Sequence, residues 1–414
     1  MQFYPIWAYF ACMAALLALA ATPPFAGADS PPSPRLNRLA TLDGLRGFLA
    51  LAVVFHHGAF YHRFLVDGRW EPPASRFYFL LGQVGVALFF MVTGYLFWSQ
   101  VVAVAGRPAW LRLYVGRVFR IGPLYLPAVA IMLATVFAET GWRLKVPAGQ
   151  LASQIGAWLA LGFMTERQVN GYSGENIMVG VTWTLRYEWI FYLSLPLLAL
   201  AARNRRLHLP LVLIGLTACL FWAAFFPPSP EFARRPIYPA LFLTGMSCAS
   251  LHEGGIWPRL PDRAASAMVL AFLALTFALC STAYTGGAVV LLGAVFYLIT
   301  SGCTVFGLLI SRPGRRLGDI SYGIYLLQGF ALGLTLRPGP MRDLALASPA
   351  YHWILVLLGA AILIVLATAA HVWIERPGIA LGKRLAARLE RKRPLARLRA
   401  DRDQVESPRA IHIA

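Results

Sequence analysis

Apolar runs of about 17 to 25 residues, the length needed to span a hydrocarbon core of roughly 30 Å, recur along this chain. Hydrophobic residues make up 58% of its 414 residues and charged residues only 13%, whereas a soluble domain averages about 25% charged residues. A chain this apolar lacks the polar surface to cover itself in water. We therefore predict an all-α, polytopic integral membrane protein.

Ten spans are expected from the apolar runs, near 42–61, 78–100, 121–138, 182–202, 209–226, 237–252, 264–282, 287–310, 318–336 and 351–373. The apolar run 150–164 is short, so we expect it to be re-entrant or interfacial. Basic clusters between the runs give a count of about ten transmembrane helices with a cytoplasmic C-terminus. We expect a multi-pass protein of the plasma (inner) membrane.

The net charge of +19 could suggest a nucleic-acid partner, but the basic residues lie in short clusters between apolar runs. That placement is typical of the cytoplasmic side of membrane proteins and argues against nucleic acid. The densest cluster lies in the segment 379–414, which we expect to be a basic cytoplasmic tail on anionic lipid.

The segment 1–30 precedes the expected transmembrane domain, 36–378. Its apolar run 7–22 and the Ala26-Gly27-Ala28 pattern resemble a secretory signal, but no Lys or Arg precedes the apolar run. Three interpretations follow: a cleaved signal, an extra N-terminal helix, or a start codon placed too far upstream. We favour the first and the last.

Two ionisable side chains of the first span, Arg46 and His57, are eleven residues apart. At about 100° per residue this is close to three full turns, so both face one side of the helix, with a rise of about 16 Å between them. The span thus carries a cation near the cytoplasmic surface and an imidazole deep in the membrane. Imidazole is well suited to take a proton near neutral pH. The plainer interpretations are a flanking arginine and a hydrogen-bonded packing histidine.

Three further ionisable side chains are candidates for the same site. Glu188 is expected just inside the outer boundary, at the depth of His57, where a carboxylate could orient the imidazole. Arg117 and Arg120 share one helix face at the cytoplasmic entry to the third span, where two guanidinium groups could bind a phosphate. The alternatives are an ordinary salt bridge for Glu188 and a positive-inside anchor for the arginines.

The five cysteines lie in apolar stretches and form no CxxC pair. Free cysteine behaves as a small buried hydrophobe, so we infer no disulfide, no metal site and no thiol nucleophile.

Together these segments resemble the acyltransferase 3 family over about residues 38–378. The resemblance is carried by LDGLRG (42–47) with the spacing to His57, GVALFFMVTGYL (85–96), RVFRIGPLY (117–125), WTLRYEWIFY (183–192), ISYGIYLL (320–327) and ERP (375–377). Thr93 stands where the family usually has Ser, and Gln328 stands where it commonly has His. Gln328 can form hydrogen bonds but cannot act as a base.

The resemblance implies transfer of an acyl group, usually acetyl, from acyl-CoA to a hydroxyl of a cell-surface or lipid-linked sugar, with no metal. His57 would be the catalytic base, and Arg46, Arg117 and Arg120 would serve activity or donor binding. Many members carry an extracytoplasmic domain that is not seen here, so we expect this chain to act alone or with a separate partner.

We expect the phosphates of acyl-CoA to bind at Arg117 and Arg120, its pantetheine arm to pass Arg46, and Glu188 to support protonated His57. Direct transfer and a transient acyl-histidine both fit. The alternatives are a transporter or flippase for an anionic lipid-linked sugar, and a scaffold subunit of an envelope complex. The acceptor and the acyl chain length do not follow from the sequence.

Overall fold

The computed structural model describes residues 3–29, 37–164, 167–226, 236–258 and 260–390. The regular structure of these residues is helical apart from one small hairpin, which confirms the predicted all-α class. The α-helices are α1 Ile6–Ala21, α2 Asn37–Asp67, α3 Arg76–Ala103, α4 Trp110–Glu139, α5 Ala148–Leu159, α6 Gly174–Ile177, α7 Trp183–Leu198, α8 His208–Phe225, α9 Ile237–Glu253, α10 Asp262–Leu279, α11 Gly286–Thr300, α12 Arg312–Asp319, α13 Ser321–Leu336, α14 Gly339–Ala347 and α15 Pro349–Ala370. The hairpin strands are β1 Gln168–Val169 and β2 Tyr172–Ser173.

Six helices within the described residues are long and apolar enough to cross a membrane: Ala40–Asp67, Arg76–Ala103, Trp110–Glu139, His208–Phe225, Asp262–Leu279 and Pro349–Glu390. Three shorter helices, α1, α11 and α13, are also apolar. A helix lies at each of the ten expected spans, but α7 and α9 are in neither group. The structure therefore supports a multi-pass membrane protein, and the count of about ten crossings stays a prediction.

Two helices extend beyond their expected spans. The basic stretch before the third span is continuous with it in α4, so the helix begins well before residue 121. After α15 the chain makes a π turn, His371–Glu375, and remains helical to Glu390, inside the segment expected to be a tail. Arg112 of α4 pairs there with Glu390. Residues 391–414, and with them most of the expected tail, lie outside the described residues.

Glycines allow α3 and α9 to pack backbone against backbone. A Cβ atom on Gly94 would lie 2.2 Å from the carbonyl oxygen of Phe242, and one on Gly245 would lie 2.0 Å from that of Met91. Small residues permit this approach between membrane helices, where dispersion replaces the hydrophobic effect as the main attraction. The contact fixes the position of α3, which lines both cavities described below.

A proline inside α7 is compensated by a side chain from α4. Pro196 has no N–H, so the carbonyl of Tyr192 loses its intrahelical partner. The hydroxyl of Tyr114 donates to that oxygen at 3.0 Å. Because an unpaired carbonyl is costly in the membrane, this bond holds α7 against α4.

The hairpin turns at Asn170-Gly171, where both residues have positive φ angles, as a two-residue turn between strands requires. The Asn170 side chain donates to Thr140 Oγ1 and the Arg143 carbonyl and accepts from the Lys145 amide. These bonds tie the loop between α4 and α7 into one packed unit.

The N-terminal segment is built into the fold. Arg316, only 2% exposed, donates to the carbonyl oxygens of Ala20 and Thr22 and pairs with the carboxylate of Asp29. At the other end of α1, the Trp353 indole N–H donates to the Phe3 carbonyl at 3.0 Å. These contacts are those expected of an extra N-terminal helix, and the choice among the three interpretations stays a prediction.

We expect the substitution Asp29→Asn to lower thermal stability at neutral pH. The hydrogen bond from Arg316 lowers the pKa of Asp29 below its ordinary value of 3.8. An acid with a lowered pKa stabilises the fold above that ordinary value, and the contribution is lost as the pH falls through the folded-state pKa. The difference in unfolding temperature between wild type and variant, measured in detergent, should thus be present at pH 7 and disappear at low pH. The exposed Asp343→Asn is the matched control; an equal effect from both would contradict the assignment.

Candidate active site

Two cavities meet inside the helix bundle. One has a volume of about 580 Å³ and is lined by residues of α2, α3, α4, α7, α13 and the final helix, including Arg46. The other has a volume of about 780 Å³ and is lined by residues of α2 and α3, the loop before α7, and α13, including His57. We call them the inner and outer cavity, after the orientation expected from the basic clusters. Both volumes are in the usual range for ligand sites.

The inner cavity is rich in cationic side chains. The basic residues lining it are Arg46, Arg117, Arg120, Arg376 and Lys383, and the acidic ones are Glu188 and Asp319. The three arginines expected from the sequence are therefore brought together. Arg376 and Lys383 were not expected there, because we assigned them from the sequence to a closing motif and to the tail.

Arg120 is held by a buried carboxylate from the far end of the chain. Its Nη1 lies 2.8 Å from Glu375 Oε2, and the Glu375 side chain is fully buried. The guanidinium also lies over the Tyr322 ring, 5.5 Å from its centroid. The π turn that carries Glu375 thus fixes the direction in which Arg120 points.

Arg117 and Glu188 have mainly aromatic neighbours in the inner cavity. The Arg117 guanidinium lies over the Phe97 ring, 4.7 Å from its centroid, and Glu188 Oε2 accepts a 2.6 Å hydrogen bond from the Tyr192 hydroxyl. Arg46 lies 3.5 Å from Asp43, one turn earlier on α2. The arginine planes are therefore oriented by rings and carboxylates that line or border the cavity.

The orientation of His57 in the outer cavity follows from its partner. Its Nδ1 lies 2.9 Å from Gln328 Oε1, and Gln328 Nε2 donates to the Tyr325 carbonyl at 2.7 Å. Because that second bond fixes the amide orientation, Oε1 must be the acceptor and Nδ1 carries the proton. The lone pair is therefore on Nε2 of His57, as a general base requires.

His56 has a packing role beside this base. Its Nδ1 is 2.8 Å from the Tyr78 carbonyl oxygen, and a Cβ on Gly82 would lie 2.3 Å from its ring. The ring is thus wedged against the backbone of α3.

The expected pairing of Glu188 with His57 is wrong. In the structure, His57 Nδ1 is hydrogen-bonded to Gln328, whereas Glu188 lies in the inner cavity and is hydrogen-bonded to Tyr192. The cause is the face of α7 on which Glu188 lies. Arg186 and Tyr187 line the outer cavity, whereas Leu185 and Glu188 line the inner one.

Comparison with known proteins gives this site a chemical context. The sequence pattern of a family described as an acyltransferase domain matches residues 39–373. This chain belongs to the acyltransferase 3 family. The match confirms the predicted family and nearly the whole predicted range, and it establishes the protein as an acyltransferase.

Two curated proteins resemble this acyltransferase along most of their length. The exopolysaccharide production protein ExoZ of Rhizobium meliloti (strain 1021) is 30% identical over 319 residues, which cover 74% of this chain and 92% of ExoZ. The acyltransferase MdmB of Streptomyces mycarofaciens is 28% identical over 391 residues, which cover 88% of this chain and 95% of MdmB. No solved structure matches this chain significantly.

Besides Arg376 and Lys383, two aromatic residues of the site were missed by sequence reasoning. Trp70 lies in the loop after α2 and stacks on His57, with 6.2 Å between ring centroids, and Tyr325 lines both cavities. Trp70 could have been suspected from the sequence, because it is a tryptophan in a polar loop that follows the helix of His57. Tyr325 lies in the ISYGIYLL segment that carries the family resemblance, but the segment alone did not show that this side chain lines the site.

We expect Arg120 and Glu375 to be energetically coupled. Because Glu375 is fully buried, removing one partner leaves the other without its compensating group, at a cost of about 3–5 kcal/mol for a buried pair. We would measure thermal unfolding of Arg120→Met, Glu375→Gln and the double variant. The loss of unfolding free energy in the double variant should be smaller than the sum of the losses in the two single variants. The exposed pair Arg112–Glu390 joins the same two helices and should couple by less than about 1 kcal/mol. Additive effects at the buried pair would refute the coupling.

Proposed function

We propose that this acyltransferase moves an acyl group, with acetyl as the first candidate, from cytoplasmic acyl-CoA to a hydroxyl of a cell-envelope polysaccharide or lipid-linked glycan. The observation that carries the proposal is the division of the bundle into a cation-rich cavity and a cavity that holds an oriented histidine. A charged nucleotide donor and a neutral hydroxyl acceptor need these two environments.

The inner cavity suits the phosphates of coenzyme A. Guanidinium groups bind phosphate oxygens through paired, charge-assisted hydrogen bonds, and a lysine adds a point charge. Arg117 is oriented by Phe97 and Arg120 by Glu375, so little side-chain ordering would be needed on binding. Glu188 would help to fix this cluster through Tyr192 instead of supporting His57.

The outer cavity suits a sugar. Aromatic rings offer flat apolar faces to the C–H face of a pyranose, while tyrosine and tryptophan also carry a hydrogen-bonding group. The rings lining this cavity are Phe60, Trp70, Phe79, Trp183, Tyr187, Tyr238, Tyr284 and Tyr325. The name of ExoZ, which refers to exopolysaccharide production, agrees with a glycan acceptor.

In the proposed reaction, His57 Nε2 takes the proton of the acceptor hydroxyl as its oxygen attacks the thioester carbonyl carbon. The new C–O bond forms and the C–S bond breaks. The thiolate of coenzyme A leaves and receives the proton from the His57 imidazolium, so the base is restored. Gln328 holds the Nδ1 proton throughout. We favour this direct transfer over an acyl-histidine because it needs one step at one nitrogen.

The proposal includes an orientation. The inner cavity would open to the cytoplasm, where acyl-CoA is found, with about ten crossings and a cytoplasmic C-terminus. The cluster Arg112, Arg117 and Arg120 on α4 supports this orientation, since arginine-rich helix ends lie on the cytoplasmic side.

The test is binding and turnover of radiolabelled acetyl-CoA by the purified protein in detergent. We expect Arg117→Ala/Arg120→Ala to lose donor binding, and His57→Ala to keep binding but lose turnover by about 100-fold or more. His56→Ala, a change of the same size in the neighbouring residue, should lose much less turnover. A well-folded wild type that binds no acyl-CoA would overturn the proposal and favour transport of an anionic lipid-linked sugar.

We expect Gln328→Leu to lower kcat about tenfold or more while leaving the donor Kd unchanged, because His57 loses the acceptor that fixes its tautomer. Gln328→His places at this position the residue that the family commonly has, and its ring nitrogen can accept the same proton, so most of the turnover should return. Equal turnover in wild type and Gln328→Leu would show that His57 needs no fixed tautomer.

A further inference from the structure

The inner and outer cavities share two lining residues, Val86 of α3 and Tyr325 of α13. The other described side chains that line these cavities each line one of the two. Val86 is 7% exposed, so it is packed among its neighbours where the two cavities adjoin. We call this pair of residues the partition.

Tyr325 is held across the gap by its hydroxyl group. The oxygen lies 3.1 Å from Thr184 Oγ1 and 3.2 Å from the Val181 carbonyl oxygen, at the start of α7. The edge of the ring meets Phe89, with 5.9 Å between centroids. The ring therefore bridges α13 and α7 and meets α3 at Phe89, one turn from Val86.

The partition separates the two halves of the proposed chemistry. Arg46, Arg117 and Arg120 line only the inner cavity and His57 lines only the outer one. Tyr325 is also coupled to the base, since its carbonyl accepts from Gln328, which in turn bonds His57. A thioester whose phosphates are held by these arginines must cross between Val86 and Tyr325 to reach His57.

We propose that Val86 and Tyr325 form a passage that admits the donor thioester to His57 and selects unbranched acyl groups by their width. This inference rests on the proposed function. An acetyl group or a straight chain has the width of the pantetheine arm that follows it, whereas a branch next to the carbonyl is wider. Because Val86 is packed in the bundle and Tyr325 is held by two hydrogen bonds, a wider group can pass only by displacing packed side chains.

The proposal predicts opposite effects from making residue 86 smaller or larger. Val86→Ala should raise turnover of isobutyryl-CoA relative to acetyl-CoA by about tenfold, the scale on which one methyl group is discriminated in a packed apolar site. Val86→Phe should keep acetyl-CoA binding and lose transfer by about tenfold or more. Val84→Ala is the matched control, because Val84 is buried in the same helix and lines neither cavity. Its ratio of isobutyryl-CoA turnover to acetyl-CoA turnover should equal that of wild type.

A second measurement needs no enzymatic activity. After replacement of the five native cysteines, Thr182→Cys places a thiol in the outer cavity. A membrane-impermeant anionic methanethiosulfonate reagent is then supplied from the cytoplasmic side of inside-out vesicles. Modification should be faster with Val86→Ala, slower with Val86→Phe, and unchanged with Val84→Ala.

The two measurements separate this inference from the proposed function. Equal acyl selectivity and equal modification rates in all variants would overturn the passage while leaving acyl transfer intact. A wild type that transfers no acyl group would overturn the proposed function, and the modification rates would still decide whether Val86 limits the passage. If Val86→Phe does not fold, the comparison of Val86→Ala with Val84→Ala decides between a passage at Val86 and none.

Discussion

An ionisable side chain inside a membrane protein must find a partner or face water, because an unpaired charge in hydrocarbon is expensive. This requirement organises the whole bundle. Arg120 meets a buried carboxylate from the other end of the domain, and Arg316 is enclosed by carbonyl oxygens and a carboxylate of the N-terminal segment. Other charged side chains line the inner cavity. The positions of the helices are thus tied to the positions of the charges.

The two cavities differ in the chemistry of their walls. The inner cavity gathers four arginines and a lysine, whereas the outer cavity holds the oriented imidazole of His57 among aromatic rings and two arginines. The close contact of α3 with α9 fixes one wall of both cavities, and the Val181 carbonyl oxygen before α7 lies 3.2 Å from the Tyr325 hydroxyl. Under the proposed function, the first environment would serve the charged donor and the second the acceptor.

The sequence could predict features that lie within a single helix, but it could not predict features that depend on contacts between helices. Arg46 and His57 lie on a single regular helix, so their common side and separation follow from helical geometry. Glu188 needed the orientation of α7, which turns Arg186 and Tyr187 toward the outer cavity and Glu188 toward the inner one. The partner of His57 comes from α13, some 270 residues away in sequence, and no periodicity reports such a contact. The contacts of the N-terminal segment could not be predicted either, because they are made to Arg316 and Trp353, far along the chain.

The π turn at His371–Glu375 has a consequence for how the final helix packs against α4. A π turn takes in one residue more than an α turn, so everything beyond it is rotated by about 100° relative to an uninterrupted helix. That rotation is what brings Gly378 and Gly382 against Pro123 and Phe119 of α4. If this segment became a regular α-helix with no residue lost, every residue beyond it would be rotated by about 100°, and other side chains would face α4 where these glycines now lie. The π turn therefore selects which residues of the final helix face α4 and permits the close approach of the two helices.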